Sequence, residues 1–304
     1  LSKKKLAIEP SHESVIIWEK ETLKIFKKGK NMGKESKYAV VGNPVAHSLS
    51  PEIHEAFAKQ FGDNISYEKI EIPLGEFESY IEDLISEGYK GVNVTIPFKV
   101  DAYRFSTKKT AYARLATAAN TLKFEGNKVL GENTDGIGFV QDLKGRLNFS
   151  LKNKNILILG AGGSVRGLLP VILDELPKKI SVANRSVARA QQLADEFGIQ
   201  SILYDETGSE QYDLIINATP ASLQNKAPLI PANAFEDCEL AYDLVYAADP
   251  TPFMQVAKEG GAKVTSDGLG MLVEQAADSY NFWLGHRPET TPVYEYIRKL
   301  LAKK

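Results

Sequence analysis

"KNILILGAGGSVRGLLPVILDEL" (Lys154–Leu176) decides the fold: an apolar run from Ile156 to Leu159 enters a glycine-rich turn and leaves it as a helix. A stretch that is apolar at every position reads as a strand buried on both faces, the kind found in parallel sheets covered by helices. Gly160 and Gly162 have the spacing of the first two glycines of a dinucleotide-binding turn. They let the chain turn tightly and let a pyrophosphate approach the amides at a helix N-terminus. The candidate contacts are Gly160, Ala161, Gly162, Gly163 and Ser164. Val165 stands where the pattern wants a third glycine or an alanine, and a structural strand-to-helix turn would use the same glycines.

Downstream, "KISVANRS", "YDLIINATP" and "LAYDLVY" read as strands and "VARAQQLADEFG" as a helix, giving a βαβαβ half of a doubly wound nucleotide sheet. Upstream, "KYAVVG", "ISYEKIEI" and "GVNVTI" alternate with the helices of "SPEIHEAFAKQFG" and "LGEFESYIEDLISEG", the pattern of a mostly parallel sheet covered by helices. Ser50 reads as a helix N-cap, Pro51 as the first helical position and Gly62 as the stop. Two further helical stretches, "GMLVEQAADSYNFWLG" and "PVYEYIRKLLAKK", could cover either half. A chain of 304 residues usually splits into two cores with a cleft between them. The expected class is therefore two-domain α/β.

About 20 residues beyond the glycine turn, an NAD site would carry Asp or Glu to bond the ribose 2′-hydroxyl. Here the chain has "ANRSVAR", with Asn184, Arg185, Ser186 and Arg189. An acid would repel a 2′-phosphate, whereas two guanidinium groups and a hydroxyl hold one by charge-assisted hydrogen bonds. The residues read as NADP over NAD, the plain alternative being a solvated helix start.

Lys and Arg number 37 against 39 Asp and Glu, a net charge of -2, which disfavours nucleic acid as a partner. The single cysteine, Cys238, excludes an intrachain disulfide framework and fits a reducing cytoplasm. No apolar run approaches the ~18 to 20 residues of a membrane helix, and no His, Asp or Glu grouping has metal-ligand spacing, so neither membrane nor metal is expected. Residues 1–36 are basic, but Glu9, Glu13, Glu19 and Glu21 and an apolar run of only Val15–Trp18 argue against a signal or transit peptide. They read as an extension outside the fold, with residues 1–31 dispensable for activity.

Ser48 and Ser50 sit directly after a buried strand, where paired hydroxyls and a helix N-terminus can bind a carboxylate, or simply cap the helix and brace the loop. Lys99 and Asp135 lie at two separate strand-to-loop junctions. Singly each reads as a surface residue; together they could steer a proton in a redox step at an alcohol carbon. His47 and His54 are rival bases, each read as structural or solvent-facing.

"HSLSP", "NVTIPFK", "AANTL", "NTDGIGF", "GAGGSVRG", "ANRS", "DLIINATP", "YDLVY", "TPF" and "DGLGMLVEQAA" occur in the order expected of the shikimate dehydrogenase family, which the chain resembles from Lys37 to its C-terminus. The resemblance implies an NADP-dependent enzyme interconverting 3-dehydroshikimate and shikimate, with residues 37–134 and 268–304 as substrate-binding domain and 135–267 as Rossmann-like NADP domain. It implies Lys99 and Asp135 as the catalytic pair and Ser48, Ser50 and Tyr246 at the substrate carboxylate, with Thr95, Asn120 and Gln275 at its hydroxyls. Thr219, Leu244, Gly268 and Met271 fall at family cofactor positions, and Arg185, Ser186 and Arg189 at the 2′-phosphate. Thr117 stands where the family usually has glycine, and Ser164 where alanine is common. A quinate/shikimate dehydrogenase and a non-catalytic ligand sensor are the rival readings; any self-association is expected as a homodimer.

Overall fold

The computed structural model describes residues 35–303, so the N-terminal extension lies outside the described residues except for its last two positions. Ser36 already pairs in the first strand. The chain forms two six-stranded sheets.

The first sheet contains β1 (Ser36–Gly42), β2 (Ile65–Glu71), β3 (Tyr89–Val94), β4 (Lys108–Lys109), β5 (Thr121–Glu125) and β6 (Lys128–Glu132), in the order β2-β1-β3-β5-β6-β4. β2, β1 and β3 are parallel, joined through α1 (Ser50–Phe61) and α2 (Phe77–Ser86). β5 departs from the expected mostly parallel pattern by pairing antiparallel with both β3 and β6, and β4 then pairs parallel with β6. The β5–β6 connection is only Gly126–Asn127, with Gly126 at φ +58°, a hairpin turn that no parallel crossover could use. Around this sheet lie two short helices, α3 (Lys99–Phe105) and α4 (Ala111–Ala116), and α5 (Asp135–Gly145) follows β6.

The second sheet is parallel throughout: β7 (Asn155–Leu159), β8 (Lys179–Ala183), β9 (Gln200–Ile202), β10 (Leu214–Asn217), β11 (Leu240–Asp243) and β12 (Val264–Ser266), in the order β12-β11-β10-β7-β8-β9. α6 (Gly163–Asp174), α7 (Val187–Phe197) and α8 (Pro252–Glu259) connect its strands. Ile156, Ile158, Leu168, Ile172, Val182 and Ile216 form its core with Phe139 and Leu143 of α5. The C-terminal helices α9 (Leu269–Leu284) and α10 (Thr291–Leu301) pack on α1, where Ile53, Phe57, Val273, Tyr280, Val293 and Ile297 are buried together.

α5 is therefore shared. One face joins the core of the second sheet, and at Gly138 its backbone approaches α9 so closely that an added Cβ would overlap the Gln275 backbone. At Gly136 a Cβ would meet the Gly167 carbonyl of α6 at 2.5 Å. Both glycines are demanded by close approach.

Two local expectations are corrected. Ser50 is the first helical residue of α1, not its cap; the cap position is Leu49, with no side-chain cap bond, and the Ser50 amide is met instead by Ser48 Oγ at 3.2 Å. β3 ends at Val94, two residues before the expected end, because Thr95 turns and its carbonyl accepts from the Phe98 amide at 3.0 Å.

Thr117, the departure from glycine, ends α4 at φ 51° and ψ 34°. A β-branched residue in this left-handed region is strained by roughly 1–2 kcal/mol. Glycine relieves that strain but widens the unfolded ensemble by about 0.4–1 kcal/mol. Thr117→Gly is expected to stabilise the protein by about 0.5–1 kcal/mol in urea unfolding, without changing the slope of the transition.

Candidate active site

Parallel α/β sheets leave unpaired backbone groups and helix N-termini beyond the carboxyl ends of their strands, and ligands bind there. A cavity of about 450 Å³ occupies that position. Ser48, Ser50, Thr95 and Lys99 reach it from the segments after β1 and β3, and Asn120 and Asp135 from either side of the β5–β6 hairpin. Leu244 and Tyr246 close it from the end of β11, and Gly268, Met271 and Gln275 from the start of α9. The expected catalytic and substrate residues thus share one wall system, with Leu244, Gly268 and Met271 beside them.

Lys99 Nζ donates to Asp135 Oδ2 at 2.5 Å, with side-chain exposures of 18% and 6%. Lys99 is aimed by its neighbour: Phe98 is buried against Phe77, which fixes the entry into α3. Asp135 is the first residue of α5, where the helix dipole favours a negative charge. Its Oδ1 accepts from Asn120 Nδ2 at 2.9 Å. The same Nδ2 lies 2.9 Å from Thr134 Oγ1 and 3.2 Å from Gln275 Oε1, while Asn120 Oδ1 accepts from the Thr134 amide at 2.9 Å. At the other end, Ser48 Oγ donates to Ser50 Oγ at 3.1 Å beside the N-terminus of α1. Tyr246 faces the cavity with its phenol pushed above the ordinary value, first by burial and then by the Glu52 charge, so it stays a proton donor.

The cofactor candidates outside the cavity lining lie around the second sheet. Gly160 has φ +114°, and a Cβ there would press on the Ala218 backbone at 3.1 Å. Gly162 and Gly163 are exposed, with open space where a Cβ would stand, and α6 begins at Gly163 without a side-chain cap. Ala161 and Ser164 flank them, and Val165, in place of the third glycine, is buried in the core. Beyond β8, Asn184 Nδ2 donates to the Ser186 carbonyl at 3.0 Å. Arg185 and Arg189 are exposed, and among the described residues neither forms an ion pair. Thr219 follows β10, its amide and hydroxyl both donating to Asn217 Oδ1. These residues fit a dinucleotide with a 2′-phosphate: an open glycine turn at an uncapped helix N-terminus, and two unpaired cations at the next strand end.

His47, the rival base read as structural or solvent-facing, lines the cavity, as do Asn93, Ile96, Leu223 and Leu272, to which the sequence reading gives no site role. The signal for Asn93 was an amide inside an otherwise apolar strand. Its Oδ1 accepts from the Tyr67 hydroxyl at 2.7 Å, and its Nδ2 donates to Ser279 Oγ at 3.0 Å and Thr121 Oγ1 at 3.1 Å. Leu223, in a short 3₁₀ turn, has no sequence signal. Among the described residues no group of three or more His, Cys, Asp or Glu is placed to hold a metal ion. Nor, among them, is any helix long and apolar enough to cross a membrane.

His54 is fully buried, stacked on Tyr67 at 4.3 Å between centroids, and its Nε2 lies 3.1 Å from Asn93 Oδ1. That oxygen is an acceptor, so Nε2 carries the proton. Burial pushes the imidazole down to about 3 from 6.5, which keeps it neutral. The unfolded chain then binds more protons than the folded one between those values, so stability falls as the pH drops through this window, by up to about 1.4 kcal/mol per pH unit. His54→Gln, which retains a donor toward Asn93, is expected to flatten the pH dependence of urea unfolding between about pH 7 and about pH 5.

Three family models match the chain: "Shikimate dehydrogenase substrate binding domain" at residues 40–122, "Shikimate / quinate 5-dehydrogenase" at 143–243, and "Shikimate 5'-dehydrogenase C-terminal domain" at 268–298. The chain is 44% identical over 270 residues to a shikimate dehydrogenase (NADP(+)) of Chromobacterium violaceum, covering 88% of this chain and 99% of that one. It is 47% identical over 268 residues to that of Herminiimonas arsenicoxydans, covering 87% and 98%. Among solved structures it is similar to an Ael1 enzyme from Pseudomonas putida, with TM-score 0.82, 40% identity and coverage of 86% and 97%. It is also similar to shikimate 5-dehydrogenase from Thermus thermophilus in complex with NADP(H) and shikimate, with TM-score 0.80, 33% identity and coverage of 88% and 100%.

Proposed function

The chain belongs to the shikimate dehydrogenase family, and from that premise we propose how its cleft performs the reversible NADPH-dependent reduction of 3-dehydroshikimate to shikimate. The observation that carries the reading is the Lys99–Asp135 pair, held at 2.5 Å in the wall of the cavity.

NADP, when bound, supplies or accepts the hydride. Gly160 to Ser164 and the N-terminus of α6 would hold its pyrophosphate, and Arg185, Ser186 and Arg189 its 2′-phosphate. Thr219, Leu244, Gly268 and Met271 would line the approach to the reacting ring. Ser48, Ser50 and Tyr246 offer hydroxyl donors to the substrate carboxylate, helped by the α1 dipole. Thr95, Asn120 and Gln275 would hold the ring hydroxyls.

In the reductive direction the carbonyl oxygen gains negative charge and needs a proton. Lys99, as an ammonium, stabilises that charge and delivers the proton; in the oxidative direction the amine receives it back. Asp135 orients Lys99 and balances its charge. Separating the two leaves a largely buried charge without its partner, which is costly. The single, buried Cys238 suits a reducing cytoplasm as the place of work.

Lys99→Ala is expected to lower kcat by about 10²- to 10⁴-fold while changing the KM for shikimate far less. Steady-state rates at 340 nm check this, and an unchanged kcat would reject the assignment. The double change Arg185→Ala with Arg189→Ala is expected to raise the KM for NADP by about ten- to a hundredfold and leave that for NAD nearly unchanged. Equal losses with both cofactors would remove the 2′-phosphate assignment.

A further inference from the structure

Tyr242, in β11, is fully buried and takes no part in the chemistry proposed above. Its hydroxyl joins two elements outside its own sheet. It donates to Asp142 Oδ2 of α5 at 2.7 Å and accepts from the Met271 amide of α9 at 3.3 Å. The Asp142 carboxylate also accepts from Arg146 Nε at 2.7 Å and a terminal Arg146 nitrogen at 2.8 Å. Gly270 abuts the same carboxylate with no room for a Cβ. The first turn of α9 is therefore seated on a polar post rising from the second sheet. That turn carries Met271, and the next carries Gln275, both in the cavity wall.

We propose that Tyr242 is a positioning residue for hydride transfer: its hydroxyl sets the height of the first turn of α9, and with it the alignment of the Met271 face against the substrate held at Gln275. The proposal rests on the reading of this cleft as the place where NADP and shikimate meet. A phenol suits the post because it is donor and acceptor at once, and both capacities are used. Burial, then the Asp142 charge, hold it far above its ordinary pKa, so the proton stays on the oxygen. The ring is kept in place independently by Phe139, edge-on at 5.1 Å. Tyr242→Phe thus removes one oxygen and little packing, while the Met271 amide and one Asp142 lone pair lose their partner.

A small misplacement of reacting groups costs on the order of a hundredfold in rate. Tyr242→Phe in the full chain is expected to lower kcat about ten- to a hundredfold, with the KM values for shikimate and NADP within about threefold of wild type. The primary isotope effect with shikimate deuterated at the carbinol carbon should rise, because misalignment slows the hydride step itself. Thermal melting fixes the folded fraction, and rates are expressed per folded molecule. An unchanged kcat per folded molecule, or an unchanged isotope effect, overturns the proposal. Wild-type chain that fails to turn over shikimate with NADP would sink the underlying reading as well; wild-type turnover with an unaffected variant sinks the proposal alone.

Discussion

Helix α5 lies in backbone contact with helices from both sides, and the geometry of the cleft follows from this. Gly136 meets the Gly167 carbonyl of α6, and Gly138 meets the backbone of α9 at Gln275. Backbone contacts of this kind have no rotamers to adjust, so the separation of the helices is fixed. Asp135 opens α5 and Gln275 lies opposite Gly138, which is why Asn120 can bond to both carboxylate and amide across segments far apart in sequence. A larger residue at either glycine would spread Asp135, Asn120 and Gln275, which the proposed catalytic and substrate-holding roles need together.

The second sheet was the more legible half. Its central strands β7 and β10 are apolar but for one terminal asparagine each, and the turn after β7 is marked by glycines, so local pattern and tertiary context agree. In the first sheet, "TLKFEGNKVLGE" carries mixed polarity, and its antiparallel pairing shows only through Gly126. Ser50 illustrates a different limit. A serine before proline has the chemistry of an N-cap, yet helix geometry begins one residue earlier and the hydroxyl is left for the cavity. Pairing Lys99 with Asp135 was beyond spacing alone, since the residues are 36 apart and meet through the contacts of α5; the family resemblance supplied the match. Asn93 shows in the sequence only as an amide within an apolar strand and Tyr242 not at all, because their roles lie in hydrogen bonds to partners remote in sequence.

Anion recognition in the proposed reading is local. A net charge of -2 gives no general attraction for a substrate carboxylate or a phosphorylated dinucleotide. Ser48 and Ser50, proposed for the substrate carboxylate, stand at the N-terminus of α1, and the glycine turn opens onto the N-terminus of α6. Each would use backbone dipoles rather than full charges, which keeps a ligand exchangeable. In the proposed reading full cations serve anion binding at Arg185 and Arg189, where a 2′-phosphate would have to be distinguished from a hydroxyl. An arginine in either of the other places would bind the anion more tightly in both redox states without favouring the transition between them.

The donor inventory around Asn120 bears on how substrate enters. Thr134's amide donates to Asn120 Oδ1, so the side-chain amide cannot be turned round. Nδ2 then has two hydrogens for three acceptors, Thr134 Oγ1, Asp135 Oδ1 and Gln275 Oε1. The longest of these contacts, 3.2 Å to Gln275, is the one most readily exchanged, which frees Oε1 for a ring hydroxyl in the proposed reading. Lys99 has three donors and the Asp135 contact uses one, so at least one N–H remains for the carbonyl oxygen. The Asp135 carboxylate, with Lys99 on one oxygen and Asn120 on the other, is already tied at both ends. In the proposed reading substrate meets a site whose fixed members are Asp135, Asn120 and Thr134, and whose adjustable members are Lys99 and Gln275, the two with long side chains in the cavity wall.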